Sequence, residues 1–375
     1  MAVPSEEKAA LAARRRAALD ACGRTLVGHR GVGPEQALER AAQAVTTDAL
    51  DRYGEGGEVA ALEAEVAALL GKPAAVLMPS GIMAQQAALR AWCDRSASRA
   101  VAVHALSHLV LHELGTLTEL HGLRVQHLTT DPRPSTAADL EELAEPLAAV
   151  AVELPLRDAG YLLPDWDELV ALSEAARARG VPLHLDGARI WESQPFYDRP
   201  LAEIAALADS VYVSFYKGLG GLAGAVLAGP EDLVAQARRW QWRHGGRLFS
   251  LLPYAVLARH GLRTYLPRMA AYRDRAVELA AALARLDGVR VLPDPPRTNG
   301  FRVFVDLPHE RLETAGLEQM EQDGVAVSAW WRPAEVPGWS MTEVVAGEAT
   351  LEWDVEEQVA AVAALLDRAR GLPGD

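Results

Sequence analysis

The chain has 375 residues, half of them apolar and 23 % charged, which is enough for two domains or for one large domain with a smaller appendage. Its formal net charge of −14 repels phosphate backbones and anionic lipid, so nucleic acid and membrane surfaces are excluded as expected partners. The two cysteines, Cys22 and Cys93, are too few for a disulfide framework and are read as reduced thiols.

The first segment, MAVPSEEKAALAARRRAALDAC, holds no uninterrupted apolar stretch of signal-peptide length, and no later run reaches the roughly 18 apolar residues of a membrane helix. A cytoplasmic protein is expected. Residues 5–22 read as an Ala/Arg-rich helix, 26–34 as a Gly-rich loop and 34–45 as a second helix. A helix over 58–70 closes at Gly71. Seven short β-rich runs follow: 74–78, 100–104, 124–128, 148–154, 182–185, 210–215 and 223–228, with helices near 83–92 and 166–179. Strands alternating with helices imply crossovers and a mostly parallel sheet, and runs apolar on both faces imply helices covering both sides. After about Leu251 the texture changes to a helical stretch, 254–286, broken at Pro267, then strands at 289–292, 300–306 and 325–329 and a last helix over 355–370. The expected organisation is an N-terminal helical arm (1–45), a large α/β domain (46–252) and a small C-terminal α+β domain (253–375).

Four segments carry candidate chemistry. In LHLDGAR, Asp186 ends a buried strand, where open α/β sheets bind ligands. A carboxylate there is either a helix cap or the partner of a buried cation, such as a protonated pyridine nitrogen that keeps a ring an electron sink. In SFYKGLGGLAG, Lys217 follows a strand and precedes glycines. It is either a surface turn or a desolvated amine suited to a Schiff base. Asp186 and Lys217 stand about 30 residues apart, one strand–helix–strand unit, which brings both to one sheet edge. In PSGIM, a strand passes through Ser80 and Gly81 into a helix, as a plain cap or as a phosphate cradle. In SHLVLHE, His108 can stack on a ring or exchange protons, with His104 and His121 nearby. No HExxH motif occurs, so no metal is expected, and the absence of GxGxxG and Walker loops lowers NAD and ATP readings. Tyr53 in RYGEGG and the basic stretch 238–247 are surface or interface.

In this order, RYGE, PSGIMAQQAALR, SHL, LHLDGAR and YKGLGG…GAVLAG resemble the threonine aldolase group of β-eliminating lyases, which are fold-type I enzymes dependent on pyridoxal 5'-phosphate (PLP). The resemblance spans roughly residues 51–246. It implies an α/β fold with a mostly parallel seven-stranded sheet. It also implies cleavage of the Cα–Cβ bond of a small β-hydroxy amino acid, such as threonine or allo-threonine, to glycine and an aldehyde. Other PLP chemistry, namely β-elimination, transamination or racemisation, stands as the alternative, and behind it a non-catalytic relative that kept the fold. Lys217 is implied as the Schiff-base lysine, Asp186 as the partner of the pyridine nitrogen, His108 as the stacking base, and Ser80 and Gly81 as the phosphate site. Ser214 is a further implied cofactor contact, Arg189 anchors the substrate carboxylate, and Tyr53 approaches the site. A homodimer or homotetramer with shared active sites is implied. The chain departs from the group's pattern at LVGHRGVGP, Ile82 and Tyr216, and in TEVVAGEATLEWD, where Glu348 and Glu352 stand and a carboxylate-binding arginine is missing. Arg30, Arg302 or Arg332 are the candidates to replace it.

Overall fold

The computed structural model describes residues 6–372. The first helix runs Glu6–Ala21; the expected first residue of that stretch, Ser5, lies outside the described residues. All seven expected runs are strands of one sheet: β1 (Ala74–Met78), β2 (Ala100–Val103), β3 (Arg124–His127), β4 (Ala149–Glu153), β5 (Leu183–Gly187), β6 (Ser210–Ser214) and β7 (Ala225–Gly229). Their spatial order is β1-β7-β6-β5-β4-β2-β3. Only β7 runs against its neighbours, β1 and β6, so six strands point one way. Strands β1, β2 and β4–β7 are buried nearly throughout, as expected of a sheet covered by helices.

The helix Gly81–Asp94 lies across one face of the sheet. Its alanines 84, 87 and 88 pack against Val76, Met78, Tyr212 and Leu227. Its start is fixed by Ser80, whose hydroxyl accepts from the Met83 amide at 3.3 Å. Gly81 has to be glycine for packing reasons: a Cβ there would meet the Tyr212 hydroxyl at 2.0 Å.

By contacts the chain divides into Pro34–Met269 and, separately, Met1–Gly33 with Ala270–Asp375. These joints lie away from the expected boundaries at 45/46 and 252/253. The helix Pro34–Ala44 packs on the helix Leu252–Thr264, which packs on Gly57–Leu69, so all three belong to the sheet's unit. The first helix instead packs on His309–Asp323, and Arg24–Thr25 pairs in parallel with Val325–Ala326. The smaller unit is α+β: an antiparallel sheet ordered Arg332–Pro333, Ser340–Val345, Gly300–Val305, Val289–Leu292, with helices. Of the strand expected at 325–329 only Val325–Ala326 forms.

Glu58 ties the larger unit's helices together. It is fully buried, accepts from Thr46 and Thr47, and pairs with the largely buried Arg259. Removing one member of a buried pair strands the other charge. Glu58→Ala is expected to lower unfolding stability by about 3 kcal/mol in urea titration, the lower end of the range because Arg259 keeps Glu65. A change under about 0.5 kcal/mol, the level of an ordinary surface substitution, would refute this role.

Candidate active site

Because β1, β2, β4, β5 and β6 share one direction, their carboxyl ends lie along one edge. Glu153 ends β4 and pairs in register with Asp186 on β5, which pairs with Tyr212 on β6. Lys217 follows β6 by three residues. Ser80 follows β1.

Asp186 is 2 % exposed. Its Oδ1 accepts from the Ala188 amide at 3.1 Å and its Oδ2 from Gln85 Nε2. It forms no ion pair among the described residues, and burial raises its carboxyl above the ordinary range. Lys217 is its counterpart. Burial and the nearby Arg189 bring its ammonium down to about 8, against the pull of Asp186, Glu153 and Glu192. A buried acid that forms no ion pair, near a half-buried amine that loses its proton readily, is the chemistry a PLP ring and aldehyde require, so the residues present fit that cofactor.

His108 starts a short helix. Its amide donates to Glu153 Oε2 at 2.7 Å, and its ring Nδ1 lies 3.1 Å from Glu113 Oε1. Glu113 is buried, and its Oε2 accepts from Gln86 Nε2 at 2.8 Å. The hydrogen bond to Glu113 raises His108 above the usual imidazole range. Facing a carboxylate, Nδ1 carries the hydrogen, and in the neutral ring Nε2 is left to accept one. The Glu153 carboxyl, shielded and close to Asp186, is pushed up to about 7.

Arg189 caps the helix Ile190–Tyr197, with its guanidinium 5.6 Å from the Tyr161 ring centre. Glu192 on that helix is 3 % exposed, and burial raises its carboxyl. A Cβ on Gly218 would meet its Oε1 at 2.2 Å, so the glycine after Lys217 makes room for an acid. Ser214 is buried, with its hydroxyl donating to the Ala188 carbonyl at 2.9 Å, which ties the ends of β5 and β6 together. Tyr53 sits elsewhere, 49 % exposed at positive φ, packed edge-on to Phe249 and under Arg247. Its contacts are with these residues and not with Lys217, Asp186 or His108.

His104 is held by the backbone. Its Nε2 meets the Asp131 and Arg133 carbonyls and its Nδ1 accepts from Leu106. No metal-holding group of three or more His, Cys, Asp or Glu side chains occurs among the described residues. In the smaller unit Arg30 pairs with Glu352, Arg302 lies 3.5 Å from Glu343, Arg332 lies over Trp330, and Glu348 accepts from Tyr272. The two glutamates that replace the expected arginine therefore have their own partners.

Sequence reasoning singled out His108, Asp186, Arg189 and Lys217, but not Gln85, Gln86, Glu113, Glu153, His184 or Glu192. The signal for His184 was its place two residues before Asp186, on the same face of a strand. Gln85 and Gln86 stood out only as two polar residues inside an apolar helix.

Glu113→Gln removes the charge that favours protonated His108. The His108 ring is expected to titrate at lower pH by NMR, and an unmoved titration would detach Glu113 from it.

A sequence model of the family described as Beta-eliminating lyase matches residues 32–308. The low specificity L-threonine aldolase of Escherichia coli K12 is 30 % identical over 294 residues, which cover 74 % of this chain and 83 % of that one. Aldolase vrtJ of Penicillium aethiopicum is 40 % identical over 207 residues; the match takes in 53 % of this chain and about half, 52 %, of that relative's length. The crystal structure of a putative L-allo-threonine aldolase from Listeria monocytogenes superposes with a TM-score of 0.89 at 37 % identity, covering 96 % of this chain and 99 % of that one.

Proposed function

The chain belongs to the beta-eliminating lyase family and is a PLP-dependent lyase of the threonine aldolase type, and from that premise we propose how its residues divide the work. The reading is cleavage of the Cα–Cβ bond of a small β-hydroxy amino acid, L-threonine and L-allo-threonine first, to glycine and an aldehyde. The observation that carries the assignment of residues is buried Asp186 within electrostatic reach of half-buried Lys217, one at the end of β5 and the other just past β6.

Bound PLP supplies the electron sink for the carbanion at the substrate's α-carbon. Lys217 holds the cofactor through Nζ, which the site keeps easy to deprotonate. Asp186 accepts the hydrogen of the pyridinium nitrogen. Ser80, Gly81 and the amides that open the helix Gly81–Asp94 receive the phosphate. Ser214 supports the cofactor by holding the two strand ends together. Arg189 binds the substrate carboxylate. His108 would face the bound ring and take the β-hydroxyl proton at Nε2, while Glu113 holds Nδ1.

The protein works as a homodimer or homotetramer in this reading, with Tyr53 serving a neighbouring subunit's site. Support comes from the contiguous exposed group Tyr53, Trp242 and Phe249, 49 %, 64 % and 61 % accessible, gathered around Arg247. A cytoplasmic location accords with the free thiols of Cys22 and Cys93. No described helix is long and apolar enough to cross a membrane.

Purified, PLP-saturated protein is expected to release aldehyde from L-threonine or L-allo-threonine in an NADH-coupled assay. Lys217→Ala is expected to lose the visible band of lysine-bound cofactor, and an unchanged spectrum would refute the lysine assignment. Asp186→Asn is expected to keep cofactor at saturating PLP, with weaker affinity, and to lose most turnover, since the electron sink weakens; full activity would refute its role. Arg189→Ala is expected to raise KM more than it weakens cofactor binding, and an unaltered KM would place the carboxylate elsewhere.

A further inference from the structure

Asp186 is the last of a line of polar side chains that crosses the interior of the larger unit. Trp92 Nε1 donates to Ser210 Oγ at 2.9 Å. Ser210 Oγ lies 2.8 Å from His184 Nδ1, and His184 Nε2 lies 2.7 Å from Gln85 Oε1. Gln85 Nε2 donates to Asp186 Oδ2. His184, Gln85, Ser210 and Asp186 are all buried.

An ionised Asp186 fixes the hydrogens on this line. A carboxylate only accepts, so Gln85 turns its amide nitrogen toward Asp186 and its carbonyl oxygen toward His184. Burial pushes His184 down to about 3, so the imidazole is neutral and its single hydrogen faces that carbonyl from Nε2. Nδ1 then accepts the Ser210 hydroxyl hydrogen, and Ser210 accepts from the Trp92 indole on a lone pair. A protonated Asp186 would be served by the reverse, with Gln85 turned over, the imidazole hydrogen on Nδ1 and Ser210 accepting from both neighbours. The orientation found, with the Gln85 amide nitrogen on Asp186 Oδ2, is the one that serves the ionised acid.

We propose that Gln85 and His184 are positioning residues that keep Asp186 an ionised acceptor, turned toward the cofactor's pyridine nitrogen, with Ser210 and Trp92 completing the line. The inference rests on the assignment of Asp186 to that nitrogen. It answers a problem that burial creates. A protonated Asp186 is a donor, and a donor cannot hold a pyridinium. Each hydrogen bond to the carboxylate favours its charged form, and the amide of Ala188 alone supplies only one.

The test uses the PLP-loaded enzyme with Gln85→Glu and Gln85→Leu. Hydrogen bonds to charged groups correspond to roughly 10- to 100-fold in an equilibrium, so cofactor affinity is expected to fall by about that factor in Gln85→Leu at every pH, with kcat reduced and KM for substrate little changed. In Gln85→Glu the introduced carboxyl donates only when protonated. Its defect in cofactor affinity should shrink as pH falls and grow as pH rises, a dependence that loss of packing would not produce. If Gln85→Leu does not fold, the pH series of Gln85→Glu decides alone. Parental affinity and kcat in Gln85→Glu across the pH range, with Asp186→Asn inactive, would overturn the inference and leave the assignment of Asp186 standing. A fully active Asp186→Asn would overturn both.

Discussion

The constraint on which the larger unit's architecture turns is the burial of one carboxylate. Asp186 ends β5 at the sheet's centre, out of water, where an unpaired charge is costly. The surrounding residues supply what water would. Gly187 and Ala188 allow a sharp departure from the strand, and a Cβ at Gly187 would come within 2.7 Å of the Tyr212 carbonyl. That departure aims the Ala188 amide back at the carboxylate. His184, two residues earlier, shares its face and brings a line of donors through an otherwise apolar core.

The helix Gly81–Asp94 meets several demands at once. Its open end, capped by Ser80, offers amides to an anion. Its alanines close the sheet face. Gln85 and Gln86, successive residues pointing about 100° apart on a helix, reach two different acids: Gln85 reaches Asp186, and Gln86 reaches Glu113, which holds His108. The acid assigned to the cofactor's pyridine nitrogen and the acid that holds His108 thus hang from adjacent residues. A small rotation of this helix would disturb both together.

The strands of the main sheet were legible because each is a short apolar run between turn residues, and β1 matched its expected limits residue for residue. The smaller unit was harder to read. Ser340–Val345 mixes polar and apolar residues and was not recognised as a strand from its own pattern, since its place depends on pairing with Gly300–Val305. The unit boundaries depend on equally distant contacts, such as Arg24–Thr25 beside Val325–Ala326. In the site, Lys217 and Asp186 were legible together because their spacing of about 30 residues fits one strand–helix–strand unit and brings both to one sheet edge. Glu153, Glu192, Glu113 and the glutamines were not, because a lone acid or amide in a helix or strand says nothing of which distant side chain it will meet.

The acids gathered around Lys217 work against it, since each carboxylate that attracts the ammonium delays its loss of a proton. Their burial counters this. Desolvation raises Glu192, and raises Glu153 to about 7, which weakens the negative charge facing the amine. Desolvation of Lys217 and the nearby Arg189 act in the other direction on the amine and prevail, leaving it near 8. Burial raises Asp186 as well, and it accepts two hydrogen bonds, as Glu153 does from the amides of His108 and Arg157. What would set Asp186 apart is the pyridinium assigned to it, a cation that favours its charged form. Its own turn and Gln85 hold the carboxylate ready for that partner beside a reactive amine.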